Sequence, residues 1–221
     1  MNLRLHYAPD NASLVIRLAL EHLGLPYETR LVDRRARAQR RPEYLRLNPN
    51  GLIPALETDE GPIFETGAIL LWLDERHGGL LPQTGRGAAL SWLFWLSNTL
   101  HPKLIDLFYR ERAAPEALAD AVYTRTRERA EACLDLLETR IAGWPEAVAL
   151  DAYLMPMLRW LALYPVDRAP SLDLARWPGI RARALAFEAT EPSRRAAAAE
   201  GLGARPWTAP EPANPPEGSA Q

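Results

Sequence analysis

Two short motifs, separated only by residues 57–63, place the strongest limits on how this chain can fold. The first is a turn that leads into an apolar strand containing a proline, Asn48-Pro49-Asn50-Gly51-Leu52-Ile53-Pro54-Ala55-Leu56. Because proline has no N–H to give to a strand ladder, we expect Ile53 and Pro54 to lie in an edge strand. At such an edge the Ile53 N–H and C=O are free to pair with an extended peptide.

The second motif, Phe64-Glu65-Thr66-Gly67-Ala68-Ile69, places an acid and a hydroxyl where a short strand gives way to a helix. A helix N-terminus offers free N–H groups to a carboxylate, and the Thr66 hydroxyl adds another donor. The Glu65 carboxylate can accept hydrogen bonds from an ammonium group. Together the two motifs suit a small ligand with a peptide backbone, a free carboxylate and a free amine, and glutathione is such a molecule.

The patterns Asn-Pro-x-Gly-x-Ile-Pro-Ala-Leu and Glu-Thr-x-Ala-Ile-Leu, at this spacing, resemble the glutathione-binding half of the cytosolic glutathione S-transferase superfamily. The resemblance implies that Pro54 follows a cis peptide bond and that the Ile53 backbone pairs with the cysteinyl backbone of glutathione. It also implies that Glu65 and Thr66 hold the γ-glutamyl end. Either motif alone is equally consistent with a turn, a buried strand and a capped helix in any α/β domain, but both at this spacing favour the superfamily.

Composition and charge exclude several classes of protein. The 221-residue chain is 48% apolar and its net charge is −2, so it has no general attraction for nucleic acid or an anionic membrane. A single cysteine, Cys133, excludes an internal disulfide framework and a Cys-rich metal site, and we expect neither a metal nor a tightly bound cofactor. No apolar run is long enough to span a membrane and no signal peptide precedes the first strand, so a cytoplasmic location is expected.

The order of predicted elements divides the chain into two domains. Residues 1–78 read as β-α-β-α-β-β-α, the order of a thioredoxin-like α/β fold as this superfamily uses it. A Gly- and Pro-containing linker follows at residues 79–87. Residues 88–200 have helical periodicity, which predicts an all-α helical bundle. The resemblance covers roughly residues 1–200, and the Pro-, Ala- and Glu-rich residues 203–221 are expected to be a disordered tail.

Two details concern the helical domain. Asp151 lies near the start of a predicted helix, and we expect its carboxylate to interact with the free N–H groups there. A later helix is predicted to start at Trp177 and to end near Glu191.

The residue that activates sulfur is expected near the end of the first strand. The resemblance implies a hydrogen-bond donor there that lowers the pKa of the glutathione thiol, because the thiolate is the nucleophile. The chain aligns without gaps to a bacterial pattern, Tyr-x-Pro-x-x-Cys-Ser-Leu, with Ala12 in the cysteine position. A mixed disulfide at this position is therefore excluded. Ser13 is the first candidate donor, Asn11 the second and Tyr7 the third, while a helix cap for Ser13 and a core position for Tyr7 are the alternatives.

Two further positions bear on the ligands. Many relatives hold the glycyl carboxylate of glutathione with Lys or Gln where this chain has Leu52, so that task would pass to Asn50 or to an arginine among residues 34–41. The segment Asn98-Thr99-Leu100-His101-Pro102-Lys103 resembles a bacterial Leu-His-x-x-Phe segment whose histidine faces the active site. His101 is therefore a candidate contact for the second substrate, with a structural histidine as the alternative.

The resemblance implies a glutathione transferase-like enzyme. Glutathione would be the co-substrate, bound by residues 1–78, and its thiolate would attack a small apolar electrophile or peroxide held against the aromatic-rich helices. A homodimer is implied as well. A glutathione-binding or scaffold protein without turnover is a second hypothesis, favoured by Ala12 and Leu52. A third is a disulfide reductase that uses two glutathione molecules and needs no protein cysteine.

Overall fold

The first part of the chain forms a four-stranded sheet. In this computed structural model, which describes residues 2–109, 115–168 and 172–219, the strands are β1 (Leu3–Tyr7), β2 (Tyr27–Leu31), β3 (Ala55–Thr58) and β4 (Gly61–Phe64). Their order is β2-β1-β3-β4, with β1 parallel to β2 and antiparallel to β3, and β3 antiparallel to β4. The parallel pair requires the helical crossover between β1 and β2, whereas a short turn joins β3 to β4.

The helices surround this sheet and then form a second unit. Their bounds are α1 (Ser13–Leu23), α2 (Pro42–Leu45), α3 (Thr66–His77), α4 (Arg86–Trp95), α5 (His101–Phe108), α6 (Ala119–Arg140), α7 (Val148–Leu163), α8 (Pro178–Glu188) and α9 (Glu191–Ala199). A π-helical segment, Leu96–Leu100, joins α4 to α5. The predicted thioredoxin-like α/β unit followed by a mainly helical unit is thus confirmed.

Ile53 and Pro54 do not lie in an edge strand, so that prediction was wrong. β3 begins at Ala55 and pairs with both β1 and β4, which makes β2 and β4 the edges. Pro54 comes just before the ladder, where its missing N–H removes no ladder hydrogen bond. The expected consequence still holds, because within the described residues the Ile53 N–H and C=O have no hydrogen-bond partner.

The two faces of the sheet are covered differently. β1 directs Leu3, Leu5 and Tyr7 into the main core with α1, because alternate residues of a strand point to one face. His6 points to the other face, where its ring meets Tyr44 of α2 edge-on with 5.9 Å between centroids. The end of the sheet between these layers is left for the site described below.

Helix α7 lies at the centre of the second unit and also contacts the first. From Ala149 to Leu163 all its residues except Asp151 are buried, as expected of a helix that is apolar on every side. It packs against α1, α4 and α5. The exception to its apolar character is Arg159, whose side chain has 0% exposure.

The connection between the two units is organised by one carboxylate. Asp74 of α3 is 4% exposed and accepts the backbone N–H groups of Leu80 and Leu81 at 2.9 and 2.8 Å. Arg86, at the start of α4, donates to its other oxygen at 2.6 Å. Residues 79–85 thus lie between α3 and α4, while residues 86–87 of the segment predicted as linker already belong to α4.

Two predictions in the helical unit were wrong. Asp151 does not serve the start of α7; its carboxylate pairs with Arg183 of α8 at 2.9 Å, because the side chain points to the neighbouring helix. The helix predicted to end near Glu191 ends at Glu188, and α9 then begins. Thr190 caps α9 by accepting the Ser193 N–H at 3.4 Å, so Thr-Glu-Pro here starts a helix.

Residues 203–219 are packed against the rest of the chain, where we expected disorder. Trp207 is 1% exposed, and its backbone N–H donates to Glu188 of α8 at 3.0 Å. Further along, Glu217 accepts the Tyr7 hydroxyl at the end of β1. The average composition of this segment indicated disorder, but one large aromatic side chain and several anchoring hydrogen bonds outweigh that average.

Candidate functional site

Three segments meet at one end of the sheet. The register pairs His6 with Ala55, and Ala55 with Phe64. The loop that leaves β1, the residues that enter β3 and the residues that leave β4 therefore emerge side by side. This end of the sheet, called the site edge below, brings together residues 8–12, 53–54 and 65–66, which include parts of both sequence motifs.

The turn before Ile53 is held in place by two side chains. Buried Asn48 accepts the Asn50 N–H at 3.0 Å and donates through Nδ2 to the Leu52 carbonyl at 2.8 Å. The Tyr44 hydroxyl donates to the same carbonyl at 2.6 Å. The peptide bond that follows Ile53 is cis, as the resemblance implies. Fixing the preceding residue in this way presents the unpaired Ile53 backbone to a ligand in a defined orientation.

Helix α3 begins at the same edge with an exposed acid and a buried hydroxyl. Glu65 has a φ of +70°, a left-handed conformation that non-glycine residues seldom adopt. Within the described part of the chain its carboxylate has no hydrogen-bond or ion-pair partner, and Thr66 beside it is 7% exposed. The Ile69 N–H is bonded to the Glu65 carbonyl at 3.0 Å, so the N–H groups before it in the first turn remain free. This terminus can hold a carboxylate next to an ammonium group.

Two of the candidate sulfur-activating hydroxyls are engaged elsewhere. Ser13 is completely buried; its hydroxyl donates to the Ala8 carbonyl at 3.1 Å and accepts the Ala8 N–H at 3.3 Å. Tyr7 is 3% exposed and its hydroxyl donates to Glu217. The guanidinium carbon of Arg17 lies 4.7 Å from the centroid of the Tyr7 ring. Burial, together with Glu217, raises the pKa of the Tyr7 hydroxyl. Neither hydroxyl is directed to the open edge in this arrangement.

Asn11 occupies a different position. It is half-buried at the start of α1, and its side-chain amide has no hydrogen-bond partner among residues 2–109, 115–168 and 172–219. Its carbonyl accepts the Leu14 N–H at 2.8 Å, which leaves the N–H groups of Ala12 and Ser13 free. The start of α1 thus presents an amide and two backbone N–H groups where the helix dipole favours negative charge.

The candidates for the glycyl carboxylate lie near the turn. Asn50 is exposed, and its carbonyl accepts Arg40 Nη1 at 3.2 Å. Arg34, in contrast, donates to the Tyr109 hydroxyl at 2.7 Å, at the end of α5. Arg40 thus lies beside Asn50. Arg34 is instead directed toward the helical unit.

His101 belongs to a hydrogen-bonded link between the two units. Its Nδ1 lies 3.1 Å from the Tyr153 hydroxyl of α7, and its ring packs edge-on against Tyr153 and at a tilt to Trp160. The Tyr153 hydroxyl also interacts with Ser97 and with Thr66 of the first unit. Burial lowers the pKa of His101 to about 4, so the imidazole is neutral at physiological pH.

The sequence did not single out Asp10, but the structure gives it many partners. Its carboxylate accepts Arg159 Nε and the Trp160 indole N–H, both at 2.9 Å, and the Tyr164 hydroxyl at 2.9 Å. Its backbone N–H donates to Glu200 at 2.8 Å. The available signal was Arg159 itself, a cation within an otherwise apolar helix, which requires a buried acid as its partner.

The described residues offer no evidence for a metal or a membrane span. No group of three or more His, Cys, Asp or Glu side chains within them is arranged to hold a metal ion. None of the helices they form is long and apolar enough to cross a bilayer. Cys133 is 8% exposed in α6, where burial raises the pKa of its thiol.

Comparisons with known proteins identify the family of this chain. Residues 12–76 match the N-terminal domain of glutathione S-transferase. The chain is 32% identical over 187 residues to the disulfide-bond oxidoreductase YfcG of Escherichia coli strain K12, covering 80% of this chain and 86% of that protein. It is 31% identical over 179 residues to glutathione S-transferase GST-4.5 of Xanthomonas campestris pv. campestris, covering 75% and 85% of the two chains.

A solved structure has the same overall fold. The glutathione transferase of Burkholderia graminis, which holds two glutathione molecules per subunit, superposes with a TM-score of 0.77 at 28% identity. The superposition covers 88% of this chain and 87% of the other. The sequence motifs, the fold and these relatives lead to the same conclusion: the chain belongs to the glutathione S-transferase family.

Proposed function

We propose that this protein is an enzyme that binds glutathione at the end of the sheet and uses its thiolate as the nucleophile. The observation that carries the proposal is that three sets of polar groups, which have no hydrogen-bond partners within the described residues, meet at the same end of the sheet. These sets are the Ile53 backbone, the Glu65 carboxylate with the start of α3, and the donors at the start of α1.

Each set has a part in binding. The Ile53 N–H and C=O pair with the cysteinyl backbone, after the turn that ends with cis Pro54. Glu65 accepts the ammonium group of the γ-glutamyl end, while Thr66 and the free N–H groups of α3 donate to its carboxylate. The exposed pair Asn50 and Arg40 serves the glycyl carboxylate, supported by the contact that holds Arg40 at the turn.

Sulfur is activated at the start of α1. Among the three candidates, the geometry favours Asn11, whose amide is free, acting with the backbone N–H of Ser13 and the helix dipole. The Ser13 and Tyr7 hydroxyls contribute to the local structure through Ala8 and Glu217. The second substrate is a small apolar electrophile or peroxide. We assign His101 a contact with this substrate, as a neutral hydrogen-bonding group.

Binding is tested by calorimetry with glutathione on wild type, Glu65→Gln and a control, Glu43→Gln. Glu43 is an exposed acid of α2 outside the site. Loss of one charge-assisted contact costs about 1.5–3 kcal/mol, so Glu65→Gln should bind glutathione about ten- to a hundredfold more weakly while the control binds like wild type. Equal affinity for all three proteins contradicts the assignment, and absence of binding to wild type contradicts the proposed function.

Activation is tested by the pH titration of thiolate absorbance in the glutathione complex. Asn11→Ala should raise the pKa of the bound thiol and slow conjugation, whereas Ser13→Ala and Tyr7→Phe should leave that pKa close to the wild-type value. A shift in Ser13→Ala with none in Asn11→Ala assigns activation to the serine instead.

Disulfide reduction is a second candidate function, favoured by the similarity to a disulfide-bond oxidoreductase. Because Ala12 stands in the cysteine position, this reaction would use two glutathione molecules and no protein thiol. One glutathione thiolate attacks the disulfide, forms a mixed disulfide and releases a thiolate. A second glutathione thiolate then attacks the glutathione sulfur of that mixed disulfide, which gives glutathione disulfide and releases the remaining half of the substrate as a second thiolate. Turnover of a small disulfide, compared with a panel of electrophiles, decides between the two, and binding without either turnover identifies a scaffold.

We also propose a cytoplasmic homodimer, as the family resemblance implies. Phe94 of α4 is 48% exposed, and Trp72 of α3 and Trp95 of α4 are partly exposed. A pairing of one subunit's first unit with the other's second would cover such residues. Sedimentation at micromolar concentration that gives the mass of one chain contradicts this assignment.

A further inference from the structure

The loop that carries the proposed sulfur donors is attached to α7 through the carboxylate of Asp10. Asp10 precedes Asn11 and is 4% exposed, with a φ of +51°. Its Oδ1 accepts Arg159 Nε and the Trp160 indole N–H, and its Oδ2 accepts the Tyr164 hydroxyl, all at 2.9 Å. These three donors lie on or directly after α7, so α7 fixes the direction of this side chain.

The backbone of Asp10 is fixed as well, from another part of the chain. Its N–H donates to Glu200, which follows α9, at 2.8 Å, and the other oxygen of Glu200 accepts Arg17 Nε of α1 at 2.8 Å. The side chains of Asp10, Arg159 and Glu200 are all 0% exposed and that of Arg17 is 5% exposed. Two acids and two bases thus pair with one another in the interior around this loop.

The same network reaches the C-terminal segment. Arg159 Nη2 donates to the Glu211 carbonyl at 2.8 Å, and Nη1 lies 3.4 Å from the Leu202 carbonyl. Arg159 therefore uses both ends of its guanidinium, one on the loop and one on the segment that covers it. A guanidinium satisfied in this way has little freedom to move, and neither has the carboxylate it binds.

The conformation that results is one that an aspartate does not favour on its own. A positive φ costs a non-glycine residue on the order of 1 kcal/mol, so it persists where the surroundings hold it. Here the surroundings hold both the side chain and the N–H of Asp10. The orientation of the next residue, Asn11, and of the free N–H groups of Ala12 and Ser13 depends on that conformation.

We propose that Asp10 is a positioning residue, which α7 and Glu200 hold so that the Asn11 amide and the free N–H groups of α1 are directed at the sulfur of bound glutathione. The proposal rests on the proposed function, since it assigns a task only if sulfur is bound at this edge. It goes further because residues that lie away from the glutathione site, on α7 and at Glu200, would influence the rate of the reaction. Asp10 itself touches neither glutathione nor the reacting atoms.

The test removes donors to Asp10 rather than Asp10 itself, because losing the acid leaves the Arg159 cation buried without a partner. The variants are Trp160→Phe and Tyr164→Phe, each of which removes one hydrogen bond to the carboxylate. The matched control is Trp177→Phe. Trp177 is 3% exposed against 4% for Trp160, and its indole donates to Asp135 at 2.8 Å, away from the loop.

Trp160→Phe and Trp177→Phe should both lower the melting temperature, because each loses one indole-to-carboxylate hydrogen bond. Trp160→Phe and Tyr164→Phe should also lower kcat by about three- to tenfold, leave KM for glutathione within about twofold and raise the pKa of the bound thiol. Trp177→Phe should change none of these kinetic quantities. Tyr164→Phe is included because Trp160 also contacts His101, whereas Tyr164 packs on Phe108.

The outcomes separate the two levels of the proposal. If wild type binds and turns over glutathione but both loop variants behave kinetically like Trp177→Phe, the positioning proposal is overturned and the proposed function stands. If only Trp160→Phe is impaired, the effect passes through His101, and the positioning proposal is again overturned. If wild type neither binds nor turns over glutathione, the proposed function fails and the positioning proposal fails with it.

Discussion

Replacing His101 with Asn should change how stability depends on pH. The imidazole lies between Tyr153 and Trp160, and burial lowers its pKa from 6.5 to about 4. As the pH falls below 6.5, the unfolded chain takes up a proton at this residue, while the folded protein does not until about 4. The unfolded state binds more protons across this window, so stability through this group falls as the pH falls.

The magnitude follows from the width of the window. Each pH unit inside it changes the free energy of unfolding by about 1.4 kcal/mol, so wild type loses about 2 kcal/mol between about pH 6.5 and about pH 5. Asn cannot be protonated and the variant does not lose this amount. Other titrating groups are common to both proteins and cancel in the difference. The advantage of wild type over His101→Asn should therefore shrink by about 2 kcal/mol on going from about pH 7.5 to about pH 5.

The assay is urea unfolding of both proteins at these pH values, with Tyr153→Phe as a control. That variant keeps the imidazole and its burial but removes the hydroxyl that lies 3.1 Å from Nδ1. Because burial lowers the pKa of His101, the difference between wild type and Tyr153→Phe should stay constant with pH. A difference between wild type and His101→Asn that is the same at both ends of the range refutes the lowered pKa of the His101 imidazole.

Three further predictions concern the frame around the site. Asp74→Ala should lower the free energy of unfolding by about 3 kcal/mol in urea, because two backbone N–H groups and Arg86 lose their buried acceptor; a loss below about 0.5 kcal/mol contradicts this. Glu188→Ala should speed hydrogen exchange of the Trp207 N–H by about tenfold without changing exchange in β1, because that N–H loses its acceptor. Phe94→Glu should shift sedimentation toward the mass of one chain, and unchanged sedimentation places the dimer contact elsewhere.

The local chemistry of the site could be predicted from the sequence. An Asn-Pro-Asn-Gly turn and an acid followed by threonine at a helix start are determined by neighbouring residues. The mainly helical character of the second unit followed from its periodicity. The interior position of β3 did not, because Pro54 just before a strand and a proline within an edge strand produce the same short pattern.

The directions of Ser13 and Tyr7 could not be predicted, because they depend on distant parts of the chain. Tyr7 is covered by Glu217, from a segment whose composition indicated disorder. Ser13 lies in the first turn of α1, where a change of one position decides between a buried and an open hydroxyl. Its hydrogen bond to Ala8 depends on the path of the loop between β1 and α1. Asp10 lies in that loop and is held by Arg159, which is distant in the sequence.

The two buried ion pairs have a consequence for exchanging segments between relatives. Asp10 with Arg159 and Arg17 with Glu200 each place one partner in the thioredoxin-like unit and one in the helical unit or after it. A chimera joined at residues 79–85 would keep every local motif intact, yet it would separate each acid from its base unless the donor of the second half supplies matching partners. An unmatched buried charge is far more costly than a mismatch at the surface. A chimera that preserves the fold must therefore keep these four residues together, or replace both members of each pair.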